Sequence, residues 1–410
     1  MNFYSVVAFK GCYAIILHTF FEKNHNSVCF LENLIYNNHV IHKKSGEITM
    51  KQGKSLKAAK AEQAAKKRRA RRRKRVFVLL VEIFILMILL GIGYVMSKYG
   101  KFQLNLFDDG DIIKNEGAGN ENYTTIALFG GDSREGELGA GTHADTIMIV
   151  SIDNETKEVK LISVYRDLLV KSLDGELGKA NSAYFYGGPK EAINMLNQNF
   201  DLDIEDYVAV DFTAMADVVD MLGGIEIDVT DAEAQEMNNY IGETAQVVGK
   251  EATRVKGGLQ TLDGVQAVTY SRIRKNVGGD YGRTERQRVV IQKLAEKVKE
   301  TDLSTLNDIV DTVFSQISTS FSLKEIINLA AGVFQYEMGE SRGYAFEYTD
   351  GSVTGVGSVV IPLGVVENIE EMHAFLYPKE EYAVSETVQT IAQEIEAVTG
   401  YTREDYKETE

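Results

Sequence analysis

Residues 270–288 read YSRIRKNVGGDYGRTERQR, with five arginines, Asp280 and Gln287 gathered around a Gly-Gly-Asp turn. Arginine carries a permanent charge on a planar fork that matches phosphate oxygens. So dense a set of fixed cations points to a site for a multiply charged phosphate. Apolar alternation over residues 268–273 reads as a strand, and Arg272 and Arg274, two apart, would then share one face. Arg283, Arg286 and Gln287 fall at i, i+3 and i+4 around the start of a helix over residues 284–299, so they share one side of it. Thr284 is placed to cap that helix, whose N-terminal dipole also favours an anion. Arg288 reads as part of a solvated basic face.

A second group of charges lies upstream. Asp132 follows an apolar run in LFGGDSRE, Asp145 precedes another in HADTIM, and Tyr165-Arg166-Asp167 ends a third. If the three runs form an antiparallel meander, Asp132, Arg134, Asp145, Arg166 and Asp167 gather on one rim of the sheet. Two carboxylates beside arginines are a seat for Mg²⁺ shared with substrate phosphates, with Mn²⁺ able to take its place. Taken singly, Asp132 and Asp145 read equally well as turn and strand-start caps. Lys179 in GKANSAYFYGG says little alone, and His143 and His373 read as structural or surface residues.

The elements that must position these residues follow from periodicity. Strands are expected at residues 124–129, 146–152, 159–164, 207–212, 225–229 and in SVVIPL. Helices are expected after Gly187-Gly188-Pro189, over residues 213–222 with Gly223-Gly224 as the stop, over residues 284–299 and through residues 372–376. Strands interleaved with helices predict an α/β domain, a mixed central sheet sandwiched by helices, over residues 123–378. Residues 97–122 read as a stalk, and residues 379–410 as an acidic, partly helical and peripheral tail.

Charge divides the chain sharply. Residues 50–75 carry thirteen Lys or Arg against the single acid Glu62, a balance of +12. Residues 1–49 add +1, so the formal total of −16 leaves −29 after residue 75. Between these polymers of opposite sign, residues 76–96 (VFVLLVEIFILMILLGIGYVM) are almost all apolar and span roughly 30 Å as a helix. The basic flank predicts a single-pass protein in the cell membrane, with a cytoplasmic N-terminal tail and residues beyond 96 outside. An uncleaved anchor fits better than a signal peptide, whose apolar stretch is about 7–15 residues. Glu82 is the discordant residue, expected to snorkel or neutralise near the inner end. Anionic membrane lipid is the simpler partner for the basic block, and no nucleic-acid partner is expected. Residues 1–49 hold both cysteines and four of the six histidines and read as an over-extended start.

Several classes are disfavoured. The chain has no G-x-x-x-x-G-K-[ST] loop, no G-x-G-x-x-G opening a helix and no G-x-S-x-G elbow. Beyond residue 49 it has no cysteine, hence neither a disulfide framework nor a zinc-type Cys/His cluster.

The stretches LFGGDSR, ADTIMIVSID, ISVYRD, KANSAYFYGG, YVAVDF, VVDMLGGIEIDV, GGLQTLDGVQAVTYSRIR and GDYGRTERQR run in one order. In them the chain resembles the LytR–CpsA–Psr family of bacterial envelope proteins, densely over residues 125–294 and more weakly to about residue 377. The resemblance implies an α/β fold with a groove for a polyprenyl chain. It also implies transfer of a glycopolymer phosphate (teichoic acid, capsule or similar) from a polyprenyl-pyrophosphate carrier to peptidoglycan. By motif, Asp132 and Asp145 would bind the metal. Arg134, Arg166, Lys179, Arg272, Arg274, Arg283, Arg286 and Gln287 would hold the pyrophosphate, and Arg166, Arg272, Arg274 and Asp280 would be catalytic. The chain departs from the family pattern at Tyr165, commonly Pro, at His143-Ala144 and at Arg288. A non-catalytic envelope regulator and a lipid pyrophosphatase are the alternatives.

Overall fold

The computed structural model describes residues 52–108, 110–131 and 137–405. The over-extended start assigned to residues 1–49, and Asp132 and Arg134, lie outside the described residues.

Helix α1 (Gln52–Tyr99) carries the basic block and the apolar run in one continuous element. Among the described residues it is the one helix long and apolar enough to cross a membrane. The chain divides into two compact units after Met87, so the end of α1 belongs with all that follows.

The second unit is built on a seven-stranded mixed sheet, as expected. Its strands are β1 (Gln103–Leu104), β2 (Tyr123–Gly131), β3 (Ala144–Asp153), β4 (Glu158–Val164), β7 (Asp206–Asp211), β10 (Ile317–Thr319) and β11 (Glu337–Tyr344), in the order β1-β10-β7-β2-β3-β4-β11. Strands β2, β3 and β4 form the antiparallel meander, with Ile126 opposite Val150 and Ile149 opposite Ile162. Their alternation sends Ala127, Phe129, Ile147, Ile149, Ile162 and Val164 to one face and Ile126, Ile152, Val159 and Leu161 to the other, so both faces are covered. Register slips between Gly130 and Gly131, where the meander ends at the rim. A side chain on Gly130 would lie 2.8 Å from Thr146 Cβ, so only glycine fits.

The first face packs on α2 (Ala180–Phe200), α9 (Val365–Leu376) and α10 (Glu386–Thr399). Helix α2 follows the hairpin of β5 (Leu169–Lys171) and β6 (Leu177–Lys179), starting well before Pro189; the expected break survives as a kink at Gly188, with φ of 71°. The second face meets α6 (Gly279–Lys299) and α8 (Leu323–Gly332), which follows α7 (Leu303–Val313). Beside the sheet, α3 (Phe212–Met221), α4 (Asp231–Val248) and α5 (Gly264–Arg272) pack with the hairpin of β8 (Ile225–Val229) and β9 (Gly258–Leu262). A last hairpin joins β12 (Tyr348–Val353) and β13 (Gly357–Pro362).

Three expectations are corrected. Residues 268–273 form helix α5 and its cap, because Asp263 and Gln266 close a reciprocal capping box that outweighs the alternation of the segment. Residues 97–122 are docked along the domain and do not stand off as a stalk. Lys101 Nζ lies 2.6 Å from Asp311, β1 pairs with β10, Ile113 N–H donates to Asn194 at 2.7 Å and Asn120 N–H to Asp203 at 2.9 Å. The segment 379–410 is helical in part but not peripheral, since Val388, Ile391, Ala392 and Ile395 of α10 are buried in the main core. The charges of α10 mark its outer face, and the apolar stripe between them was the signal.

Ile395→Ala should lower stability by roughly 2–5 kcal/mol, read by denaturant unfolding, because it opens a cavity in a shared core. A peripheral helix would show almost no loss. Burial also raises the Asp206 carboxyl to about 6 despite its hydrogen bond from Ser320. The folded state therefore penalises the ionised form, and stability should rise as pH falls from neutrality through that value. Asp206→Asn should be the more stable protein at about pH 8, with the gap narrowing toward about pH 4; equal gaps at both would contradict it.

Candidate active site

The rim of the meander meets the corner between α5 and α6. Helix α5 ends at Arg272, its cap Ile273 turns extended, and Arg274 begins the loop into α6. That loop closes tightly. Gly278 takes φ of 87°, and a side chain on Gly282 would come within 2.4 Å of the Val277 carbonyl. Asp280 therefore sits in the first turn of α6, where the helix dipole favours negative charge. Thr284, expected as the cap, lies inside the helix and donates to the Tyr281 carbonyl at 2.8 Å.

Arg286 holds this corner together. Its Nε donates to the Tyr270 carbonyl at 3.1 Å, Nη1 to the Val277 carbonyl at 2.9 Å and Nη2 to the Ile273 carbonyl. Glu233 of α4 lies 3.4 Å away. The guanidinium is buried and lines no cleft that holds the other arginines. It is placed to satisfy carbonyls left over at the end of α5.

Most of the other charges face a cleft of about 460 Å³, whose lining does not include Arg166, Asp167 or Lys179. Asp145, Arg272, Arg274, Asp280, Arg283 and Gln287 line it, together with Lys275, which the sequence did not single out. Arg166 Nη1 donates to Asp145 Oδ1 at 2.8 Å, and its Nε lies 3.4 Å from Asp167 and 3.9 Å from Asp280. Lys179 Nζ lies 2.9 Å from Asp167. Asp280 Oδ1 is 3.3 Å from Arg274 Nη1 and 3.0 Å from Arg283 Nη2. Arg272 stands over the Phe212 ring at 4.6 Å and donates to Thr244 Oγ1 at 3.3 Å. The far wall, Tyr240, Glu243 and Thr244 of α4, was invisible from sequence, because it meets Arg272 only when α5 is helical.

The electrostatics are those of a crowded ionic rim. Burial alone would raise the Asp145 carboxyl, but Arg166, Arg283 and Arg274 together hold it below the usual carboxylate range. Burial pushes Arg283 down to about 10, against the pull of Asp280 and Asp145, and it remains protonated at neutral pH. Gln287 Oε1 and two Arg283 nitrogens, Nε and Nη2, are buried without a hydrogen-bond partner among the described residues. Such groups are costly unless a ligand completes them. Arg288, expected on a solvated face, is half-buried, with Nε and Nη1 also unpartnered there. Buried His373 bonds the Phe200 carbonyl at 2.8 Å, and His143 stacks on Phe185, so neither joins the site.

The fold and cleft define an α/β domain with an arginine-lined cleft, in a chain with one helix long and apolar enough to cross a membrane among the described residues. The chain belongs to the LytR_cpsA_psr family, whose model matches residues 99–353. It is similar to the polyisoprenyl-teichoic acid–peptidoglycan teichoic acid transferase TagV of Bacillus subtilis (strain 168), 28% identical over 240 residues, 54% of this chain and 59% of that protein. It is also similar to biofilm regulatory protein A of Streptococcus mutans serotype c, 29% identical over 268 residues, 61% of this chain and 63% of that protein. The match thus spans about six tenths of these relatives' own length. Among solved structures, the domain resembles protein gbs0355 of Streptococcus agalactiae (TM-score 0.53, 25% identity, 64% of this chain and 91% of that one). It shares the fold of TagT with bound octaprenyl pyrophosphate lipid (TM-score 0.50, 21% identity, 67% of this chain and 98% of that one).

Lysine cannot reach three carbonyls at once, so Arg286→Lys should cost about 2–4 kcal/mol of stability. Thermal unfolding checks this; a melting curve unchanged by the substitution would show that the corner does not depend on those bonds.

Proposed function

We propose that the protein is a phosphotransferase that moves a glycopolymer phosphate from a polyprenyl-pyrophosphate carrier to peptidoglycan. The single observation that carries this reading is the cleft in which Arg272, Arg274, Lys275 and Arg283 converge beside ionised Asp145. Relatives named as teichoic acid–peptidoglycan transferases, and a structure of TagT with octaprenyl pyrophosphate, support the substrate class. The basic flank of α1 stays cytoplasmic in this reading, and the domain lies outside, where lipid-linked polymers and the wall meet.

Arg272, Arg274 and Arg283 bind the non-bridging oxygens of the pyrophosphate, and Arg166 and Lys179 hold Asp145 and Asp167 in place at the rim. An acceptor hydroxyl oxygen attacks the sugar-side phosphorus. The bond from that phosphorus to the bridging oxygen breaks, and polyprenyl phosphate leaves with the electron pair. The hydroxyl proton passes to a rim carboxylate or to solvent. The fixed cations neutralise the charge that develops on the leaving oxygen, which supplies most of phosphoryl-transfer catalysis.

Mg²⁺ fits the donors present. The ion takes one or two carboxylates together with substrate phosphate oxygens. Asp145 is held ionised, and among the described residues only its Oδ1 is engaged, by Arg166. Bound there with help from Asp132, the ion would supply Lewis-acid stabilisation of phosphate oxygens.

The test uses the full-length protein in detergent with Mg²⁺, a lipid-pyrophosphate glycan and peptidoglycan oligomers, following covalent linkage by mass spectrometry. Arg272→Ala should lower the linkage rate by roughly 10²–10³. Lipid cleavage without linkage would instead make it a pyrophosphatase. No turnover across several glycans would favour the regulatory role that the name of the Streptococcus mutans relative carries.

A further inference from the structure

A transferase needs two substrates to meet, and the rim has two clefts. The second, of about 370 Å³, lies between the start of α6 and the β12–β13 hairpin. It shares Gly279, Asp280 and Arg283 with the first, so the Asp280–Arg283 pair is a ridge common to both. We propose that this second cleft binds the acceptor saccharide and presents its hydroxyl to the phosphate across that ridge; the inference rests on the transferase reading above.

The two linings differ in chemistry. The first cleft has four cationic side chains, Arg272, Arg274, Lys275 and Arg283, against three acids, Asp145, Glu243 and Asp280. In the second, Arg166 and Arg283 face three carboxylates, Asp167, Asp280 and Asp350, which leaves no excess of positive charge for another phosphate. Its remaining side chains are aromatic, hydroxylic and, at Val359 and Val360, aliphatic. Tyr281 packs edge-on to Tyr165 at 4.8 Å and lies 4.7 Å from Tyr348, and its hydroxyl donates to Asp350. Ser358 and Thr284 add hydroxyls to the lining. Apolar ring faces with carboxylate and hydroxyl rims match a pyranose, which has C–H faces and a girdle of hydroxyls. They do not match a lipid tail, which would desolvate those charged groups and offer them no hydrogen bond in return.

Unsatisfied donors sit at the junction. Arg283, with a side chain 3% exposed, has Nε and Nη2 without hydrogen-bond partners among the described residues, although Nη2 lies 3.0 Å from Asp280. Arg166 Nε has only ion-pair neighbours, Asp167 at 3.4 Å and Asp280 at 3.9 Å. Both residues line the second cleft, so the junction of the two clefts is built from arginines already engaged with the carboxylates of the rim.

Asp350 and Ser358 are exposed on the hairpin and lie on neither α5 nor α6, and Asp350 touches that corner through the Tyr281 hydroxyl alone among the bonds described. In the full-length protein, Asp350→Ala and Ser358→Trp should raise the acceptor KM about tenfold, while donor KM and octaprenyl pyrophosphate affinity stay within about twofold. Saturation-transfer NMR with chitotetraose should give a signal with the wild type and none with Ser358→Trp. An unchanged acceptor KM would overturn the inference and leave the transferase reading intact. A rise in donor KM alone would also overturn it, assigning the cleft to the donor glycan. If the wild type links nothing, the transferase reading fails, and the NMR arm still decides. A wild-type signal that Ser358→Trp abolishes supports a saccharide cleft, and a silent wild type refutes it.

Discussion

The site depends on how one buried arginine is used. Burying a guanidinium costs several kcal/mol unless its donors are met, and Arg286 meets them with the carbonyls of Tyr270, Ile273 and Val277. Those carbonyls lie where α5 ends and the chain must reverse into α6. Tying them to one planar fork fixes the corner, and the corner fixes Arg272, Arg274 and Arg283. Like charges placed so closely would otherwise swing apart into solvent. Here Asp280 pairs with Arg274 and Arg283, and Asp145 feels both, so the cluster is held by its own acids.

Much of this was legible, and the parts that were not have physical reasons. The meander and its rim could be read because a half-buried strand writes a period of two, and turns write Gly, Asn and Asp. The helix over residues 264–272 was misread because Val268, Tyr270 and Arg272 alternate with polar or short neighbours. The capping box at Asp263 and Gln266 was the better signal, since it satisfies two backbone donors whatever the pattern beyond it. Arg283 and Arg286 share a helical side, and spacing alone cannot tell which lines the cleft and which meets carbonyls. That choice is made by the loop before them. Tyr281 and Asp350 are separated by 69 residues, and nothing local joins them.

The link to the membrane helix has its own logic. Tyr94 bonds Asn307 and Lys98 bonds Asp311, both at a separation of 213 residues, so the end of α1 and helix α7 run side by side in one direction. Phe102 against Phe314, with ring centres 4.0 Å apart, and the pairing of β1 with β10 continue the joint. The segment that follows α1 is therefore part of the domain's own packing and not a free tether.

Charge outside the cleft sharpens the same selectivity. Everything after residue 75 carries a formal −29, yet four cationic side chains face one cleft. An acidic shell repels polyanions over most of the surface, and the low-dielectric walls of a cleft focus the opposite potential within it. A multiply charged anion would therefore be drawn to that cleft and to little else of the surface. In the neighbouring cleft acids outnumber arginines, so it adds no competing anion site, and a ligand there would have to be recognised by shape and hydroxyls. Two adjacent clefts of unlike charge share one ridge, so an anion held in the first would leave the second open to a neutral ligand.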